Sequence, residues 1–268
     1  MLKDITLGQY FPGNSIAHKL DPRTKILLVT LYIIALFSAK GWMGYAVMAV
    51  TLAACVKVSH VGLRALMRGL KPLVFIIAFT GLLNMFFTPD THYLWEWGIL
   101  RVSVKGIENA LFMVIRIMLL VMGTFLMTYT TSPIRLTDGL ESLLNPLKKI
   151  HVPVHELAMM MSIALRFIPT LIEETDKIMS AQKARGADFD SGNIFQKAKA
   201  LVPILVPLFI SAFRRADELA TAMECRCYHG GEGRTKLHVL KYQRRDYVAL
   251  AGGAVILVLV VALRRLGA

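Results

Sequence analysis

The chain has 268 residues, of which 55% are hydrophobic, and its mean hydropathy of +0.54 excludes an ordinary soluble domain. A net charge of +13 would favour nucleic-acid binding in a soluble protein, but the sequence contains no aromatic–basic RNA-binding motif. The apolar residues instead gather into runs near the length of about 20 residues that a helix needs to cross a bilayer. We therefore expect an all-α membrane protein whose partners include the lipid bilayer and exclude nucleic acid.

The apolar runs predict about five transmembrane helices. The dipeptide Asp21-Pro22 precedes the first run, which predicts an N-cap residue followed by proline at the first helical position. A tight turn at Gly41 leads to the second run. The predicted spans lie at about 24–39, 42–58, 72–88, 106–128 and 247–263.

These spans predict three domains. An N-terminal transmembrane region covers residues 1–131, a cytoplasmic segment of long amphipathic helices covers 132–245, and the last span lies within 246–268. Lysine and arginine are concentrated in three segments that the spans would place on one side of the membrane. Residues 1–25, 57–71 and 129–245 hold 4, 4 and 17 of them, against 5 outside these segments and the spans. The positive-inside rule then predicts a multi-pass membrane protein with five spans, a cytoplasmic N-terminus and a C-terminus on the other side.

Two features leave alternatives open. The apolar run at 201–213 could form a sixth span, although about 13 residues suit a buried or interfacial helix better. Arg116 lies inside the fourth predicted span, where an ionisable group is either functional or a structural arginine bonded to neighbouring carbonyls. A functional Arg116 would favour a self-contained secondary transporter or channel, although the other spans contain no charge to pair with it.

The strongest internal signal is a quasi-repeat with an offset of 41 residues. Its first copy ends in Ala184-Arg185-Gly186 and its second in Cys225-Arg226-Cys227, each arginine following an aspartate by nine residues. A helix C-cap explains either arginine alone. Two copies in one register favour a pair of guanidinium plugs for carboxylate-lined grooves, as a pseudo-symmetric dimer would present.

The helix before the first arginine is predicted to be amphipathic. Packing within the chain and an adaptable, methionine-rich partner surface are both compatible with this pattern. Proline at 169, 203 and 207 is expected to bend or divide these helices. The apolar stripe comprises Leu157, Met160, Met161, Ala164, Phe167, Ile168, Leu171 and Ile172.

Enzyme and metal motifs are absent from the sequence. His155-Glu156 is followed by Met159 where a zinc protease needs histidine, and no Gly-x-Ser-x-Gly nucleophile motif occurs. Cys225 and Cys227 with His229 could bind a metal, but their spacing is tight. We therefore expect no catalytic residue, no metal and no cofactor bound by this chain.

The residues resemble one known family over nearly the whole chain: the transmembrane T component of energy-coupling factor transporters. The N-terminal pattern Tyr10-x-Pro12-Gly13-x-Ser15-x-x-His18-x-Leu20-Asp21-Pro22-Arg23-Thr24-Lys25 is similar to the opening signature of that family. Ala184-Arg185-Gly186 is similar to the first of its paired coupling motifs, and Arg226 occupies the second. There the sequence departs from the family, because Cys227 stands where the family has glycine.

The resemblance implies a non-enzymatic scaffold of an importer for vitamins or transition-metal ions, located in the cytoplasmic (inner) membrane of a prokaryote. The two arginine-tipped helices would dock into two ABC ATPase subunits, which carry ATP and magnesium. The apolar faces would hold a membrane-embedded, substrate-binding S component. The residues expected to contact that component are Met160, Met161, Ala164, Phe167, Ile168, Pro203 and Pro207.

Overall fold

The computed structural model describes residues 10–88, 93–97, 100–187, 189, 193–231 and 239–266. Residues 1–9 of the first predicted domain and 267–268 of the last lie outside the described residues. The described chain is all-α apart from an antiparallel hairpin of β1 (Tyr93–Trp97) and β2 (Leu100–Ser103). The α-helices in chain order are α1 (Ile16–Lys19), α2 (Pro22–Ser38), α3 (Gly41–Ser59), α4 (Leu63–Leu70), α5 (Val74–Phe87), α6 (Val104–Thr130), α7 (Pro133–Leu144), α8 (Val154–Ala184), α9 (Ile194–Cys225) and α10 (Arg244–Arg265).

Five helices of the described chain are long and apolar enough to cross a membrane, which confirms the predicted class. They are Gly41–Ser59, Leu63–Phe87, Val104–Thr130, Val154–Ala184 and Arg244–Arg265. This set differs from the predicted spans at two helices. The 17-residue α2 is shorter than these five helices and is not among them, whereas the 31-residue α8 is included because it contains a long apolar stretch with few charges.

The chain forms two compact units. The span unit comprises residues 8–140 and 240–268, and the long-helix unit comprises 141–239. The core of the span unit joins α2, α3, α6 and α10, so the last helix packs beside the first ones. Its buried residues are Ala35, Leu36, Ala39, Tyr45, Met48, Leu52, Leu119 and Val260.

One buried carboxylate connects the starts of α2 and α10. Asp246, which is 2% exposed, accepts a hydrogen bond from the backbone N–H of Asp21 at 2.9 Å and from that of Gln243 at 2.8 Å. The Asp21 side chain in turn accepts from the backbone N–H of Arg23, which confirms the predicted N-cap with Pro22 at the first helical turn. Asp246, 225 residues further along the chain, thus accepts a hydrogen bond from the backbone N–H of the N-cap residue Asp21.

Lys25 connects the start of α2 to the end of α6. Its side chain is buried, and its ammonium donates to the carbonyl of Thr130 at 2.8 Å and to the hydroxyl of Thr131 at 3.0 Å. Phe11 donates its backbone N–H to the carbonyl of Tyr129 at 3.0 Å. The N-terminal segment therefore binds the point where the chain leaves α6.

Asp246→Asn should destabilise the span unit, because an amide keeps one of the two acceptor oxygens and leaves a buried backbone N–H without a partner. We expect a loss of about 1–3 kcal/mol, measured as a lower midpoint of thermal unfolding of the purified protein in detergent. Asp217→Asn, at an exposed position of α9, is the matched control and should change little. Equal midpoints for the two variants would contradict the role given to Asp246.

Candidate functional site

Two polar contacts join α8 and α9 in the long-helix unit. Glu174 accepts hydrogen bonds from the hydroxyl of Ser211 and, at 2.8 Å, from the guanidinium of Arg215. Eight residues later on α8, Gln182 donates its amide to the carbonyl of Pro203 at 3.4 Å. Because the order of contacts on α9 is reversed, the two helices form an antiparallel pair.

The three prolines do not divide these helices. Pro169 lies inside α8, and Pro203 and Pro207 lie inside α9, so of the two expected effects, bending or division, division does not occur. A proline at position 207 removes the N–H that would bond to the carbonyl four residues earlier. That carbonyl belongs to Pro203, and the Gln182 amide approaches it from α8. The Gln182 amide of α8 thus partly replaces the backbone hydrogen bond that Pro207 removes from α9.

The two arginine-tipped helices end in the same backbone motif. At the end of α8, Ala187 donates to Gln182 at 3.0 Å and Gly186 donates to Lys183 at 3.0 Å. At the end of α9, Tyr228 donates to Met223 at 3.0 Å and Cys227 donates to Glu224 at 2.8 Å, which is the same pattern displaced by 41 residues. Both are Schellman motifs with a left-handed residue after the arginine.

Cys227 adopts the conformation expected of the glycine that it replaces. Its φ of 55° lies in the left-handed region, as does the φ of 90° at Gly186. A residue with a Cβ adopts this region at a cost of roughly 1–2 kcal/mol. The departure from the family pattern therefore leaves the geometry after Arg226 intact and adds local strain.

The repeat continues upstream of the tips. Ser180 donates its hydroxyl to the carbonyl of Asp176 at 2.8 Å, and Thr221 donates to that of Asp217 at 2.9 Å. Glu174 and Arg215 are also separated by 41 residues, and they contact each other directly. Contact between equivalent positions is what a local twofold axis through the pair produces. The sequence predicted the repeat, but it did not predict this contact.

The predicted coupling residues all lie exposed at the ends of this pair. Each arginine follows the contact between Glu174 and Arg215 by 11 residues, which is about 16 Å along a helix. Since the helices are antiparallel, Arg185 and Arg226 lie at opposite ends of the helix pair. Neither forms an ion pair within the described part of the chain. The exposed set is Ala184, Arg185, Gly186, Cys225, Arg226 and Cys227.

An apolar face lies on each helix between the tips. On α8, Met160, Met161 and Ala164 are exposed, while Phe167 and Ile168 are half-buried. On α9 the predicted Pro203 is exposed and Pro207 is half-buried, but they lie in a larger exposed stripe of the run 201–213, of which only the two prolines were predicted as contacts. Its side chains are 46–68% exposed and comprise Leu201, Val202, Leu205, Val206, Phe209, Ile210 and Phe213. Their spacing of four residues within the run 201–213 was the available signal.

The remaining candidates do not assemble into a site. Arg116 donates its Nε–H to the Tyr45 hydroxyl at 2.8 Å and lies 5.8 Å from the Phe37 ring, so its contacts suit a structural role. Cys225 and Cys227 are free thiols. Within the described ranges no group of three metal-ligating side chains is found.

The fold and the paired tips define a class of protein: a helical, multi-pass membrane protein with two matched arginine-tipped helices. The chain matches the family described as cobalt transport protein (CbiQ) over residues 13–237. It therefore belongs to this family, and it is a transmembrane component of an energy-coupling factor transporter rather than an enzyme by itself.

Similar proteins cover almost the full length of the chain. Three of them carry the name energy-coupling factor transporter transmembrane protein EcfT. The relative from Ruminiclostridium cellulolyticum is 54% identical over 92% of each chain. That from Acidaminococcus fermentans is 56% identical over 94% of this chain and 93% of its own. The relative from Bacillus subtilis is 47% identical over 98% of this chain and 100% of its own.

Cys227→Gly should stabilise the end of α9, because glycine adopts the left-handed conformation without a Cβ clash. We expect a gain of about 1 kcal/mol and roughly fivefold slower hydrogen exchange at the amides of Cys227 and Tyr228. Gly186→Ala should have the opposite effect on α8. Cys225→Ala removes a thiol at a right-handed position and serves as the control; slower exchange in that variant would contradict the explanation by backbone strain.

Proposed function

We propose that this chain is the coupling scaffold of an importer in which Arg185 and Arg226 dock into two ABC ATPase subunits. The observation that carries the proposal is the pair of helix ends with the same hydrogen-bond pattern, each with an exposed arginine that forms no ion pair in the described chain. A guanidinium on a rigid helix end offers bidentate hydrogen bonds to carboxylates. A local twofold arrangement suits a partner with two related grooves.

Motion of the ATPases would reach the transport substrate through the same helix pair. In this proposal ATP and magnesium are bound by the partner subunits, and their closure displaces both arginine tips. Contacts between Glu174 and Arg215 and between Gln182 and Pro203 would make α8 and α9 move as one body. The N-terminus and the long-helix unit lie on the cytoplasmic side, in agreement with the distribution of lysine and arginine.

We assign the exposed apolar face of α8 and α9 to a membrane-embedded S component that binds a vitamin or a metal ion. A helix face that met only water would carry polar side chains, whereas adjacent turns of α9 carry exposed valine, leucine, isoleucine and phenylalanine. The methionines at 160 and 161 give an adaptable surface, which suits a scaffold that accepts more than one such partner.

Arg185→Ala and Arg226→Ala should each weaken the complex with the ATPases. Loss of one buried charged anchor costs roughly 2–5 kcal/mol, or about 30-fold or more in affinity. The measurement is recovery of the ATPases with tagged scaffold in mild detergent. Arg214→Ala, which removes an exposed arginine from the middle of α9, is the matched control. Unchanged recovery in both tip variants would contradict docking through the arginines, and substrate uptake by this chain alone in liposomes would contradict the scaffold.

Met161→Glu should release the S component while the ATPases remain bound, because the interface would bury an unpaired carboxylate. Burial without a partner costs several kcal/mol, so we expect near-complete loss of the S component from the purified complex. Ser180→Glu introduces the same charge at an exposed position of α8 near its tip and should retain that component. If both variants retain it equally, the S component does not bind this face.

A further inference from the structure

A basic cleft lies in the span unit. It has a volume of about 470 Å³ and opens between the N-terminal segment and the first turn of α7. Its walls contain two cations, a tyrosine and an asparagine, but no carboxylate. The lining residues are Tyr10, Pro12, Gly13, Asn14, His18, Lys19 and Arg135.

The charge of this cleft is not neutralised by the described residues around it. Lys19 and Arg135 are exposed, and neither side chain forms an ion pair in the described part of the chain. The buried ammonium of Lys25 adds positive charge nearby, close enough to repel Arg135, although the Asp246 carboxylate partly offsets it. The cleft therefore offers hydrogen-bond donors and a positive potential, which is the chemistry that a phosphate group requires.

The loop that forms one wall is held rigidly by His18. The Nε2–H of His18 donates to the carbonyl of Phe11 at 2.9 Å, and Nδ1 lies 2.6 Å from the hydroxyl of Ser15, which can donate to it. Gly13 packs so closely on the imidazole that a Cβ would come within 2.8 Å of the ring. A wall fixed in this way needs little reordering when a ligand binds.

The two cations of the cleft lie near helix ends, where headgroups of a surrounding bilayer are expected. Lys19 lies three residues before the start of α2, and Arg135 lies five residues after the end of α6. Both cations therefore lie close to the ends of apolar helices, where lysine and arginine meet the membrane–water interface.

We propose that this cleft binds the phosphate of an anionic phospholipid, with Lys19 and Arg135 as the two charged contacts and Asn14 and Tyr10 as further donors. This lipid site requires only that the chain is a membrane protein, and it does not depend on the binding of ATPases or an S component. Free inorganic phosphate has the same charge and acceptor atoms but lacks acyl chains. A lipid gains additional affinity by burying its chains against the neighbouring apolar helices.

The test is native mass spectrometry of the full chain in mixed phosphatidylglycerol and phosphatidylcholine nanodiscs. The wild-type protein should retain one phosphatidylglycerol. The double variant Lys19→Gln/Arg135→Gln should bind it about 25-fold more weakly, at about fivefold for each cation. The pair Arg64→Gln/Arg68→Gln, exposed on α4, removes the same charge elsewhere and should retain the lipid. Lys19→Arg/Arg135→Lys should also retain it.

Three results would overturn the proposal. Equal loss of phosphatidylglycerol from the Arg64→Gln/Arg68→Gln control would mean that total charge rather than the cleft attracts the lipid. Full retention in Lys19→Gln/Arg135→Gln would place the lipid elsewhere. Protection against thermal unfolding by inorganic phosphate, without protection by phosphatidylglycerol, would assign the site to a soluble anion. Equal unfolding midpoints of wild type and double variant in phosphatidylcholine alone would establish that lost binding is not lost folding.

Discussion

The structure depends on the need to satisfy two charged groups buried at one end of the span unit. The ammonium of Lys25 is bonded to the end of α6, and the carboxylate of Asp246 is bonded to the starts of α2 and α10. A buried charge without partners is costly in a low-dielectric environment, so the helices that supply those partners are held together. The chain leaves α6 from this bonded end.

The long-helix unit follows a different principle, because it leaves much of its surface without a partner. Two polar contacts hold α8 against α9, while the arginine tips and a stripe of large apolar side chains stay exposed. A subunit that works by contact with others keeps its binding groups uncovered in isolation. The local twofold relation between the helices gives the unit two equivalent ends, which the proposed docking into two related ATPase subunits requires.

Two departures from simple sequence rules were compatible with the fold because the surroundings compensate for them. Cys227 occupies a left-handed position at a cost that the remaining hydrogen bonds of the helix end tolerate. Pro207 lies within α9, where Gln182 of α8 donates to the carbonyl that lost its backbone partner. Considered alone, α9 would be expected to divide at Pro207, and the hydrogen bond from Gln182 of α8 explains why it does not.

The sequence by itself determined the helical membrane class, the N-cap at Asp21, and the matched registers of Arg185 and Arg226. These features depend on local periodicity, capping and spacing, which are properties of neighbouring residues. Only the tertiary structure decided that Asp246 completes the N-terminal motif, that Glu174 meets Arg215, and that the run 201–213 exposes its apolar face. Those contacts join residues far apart in sequence, and their energies depend on burial that no local pattern specifies.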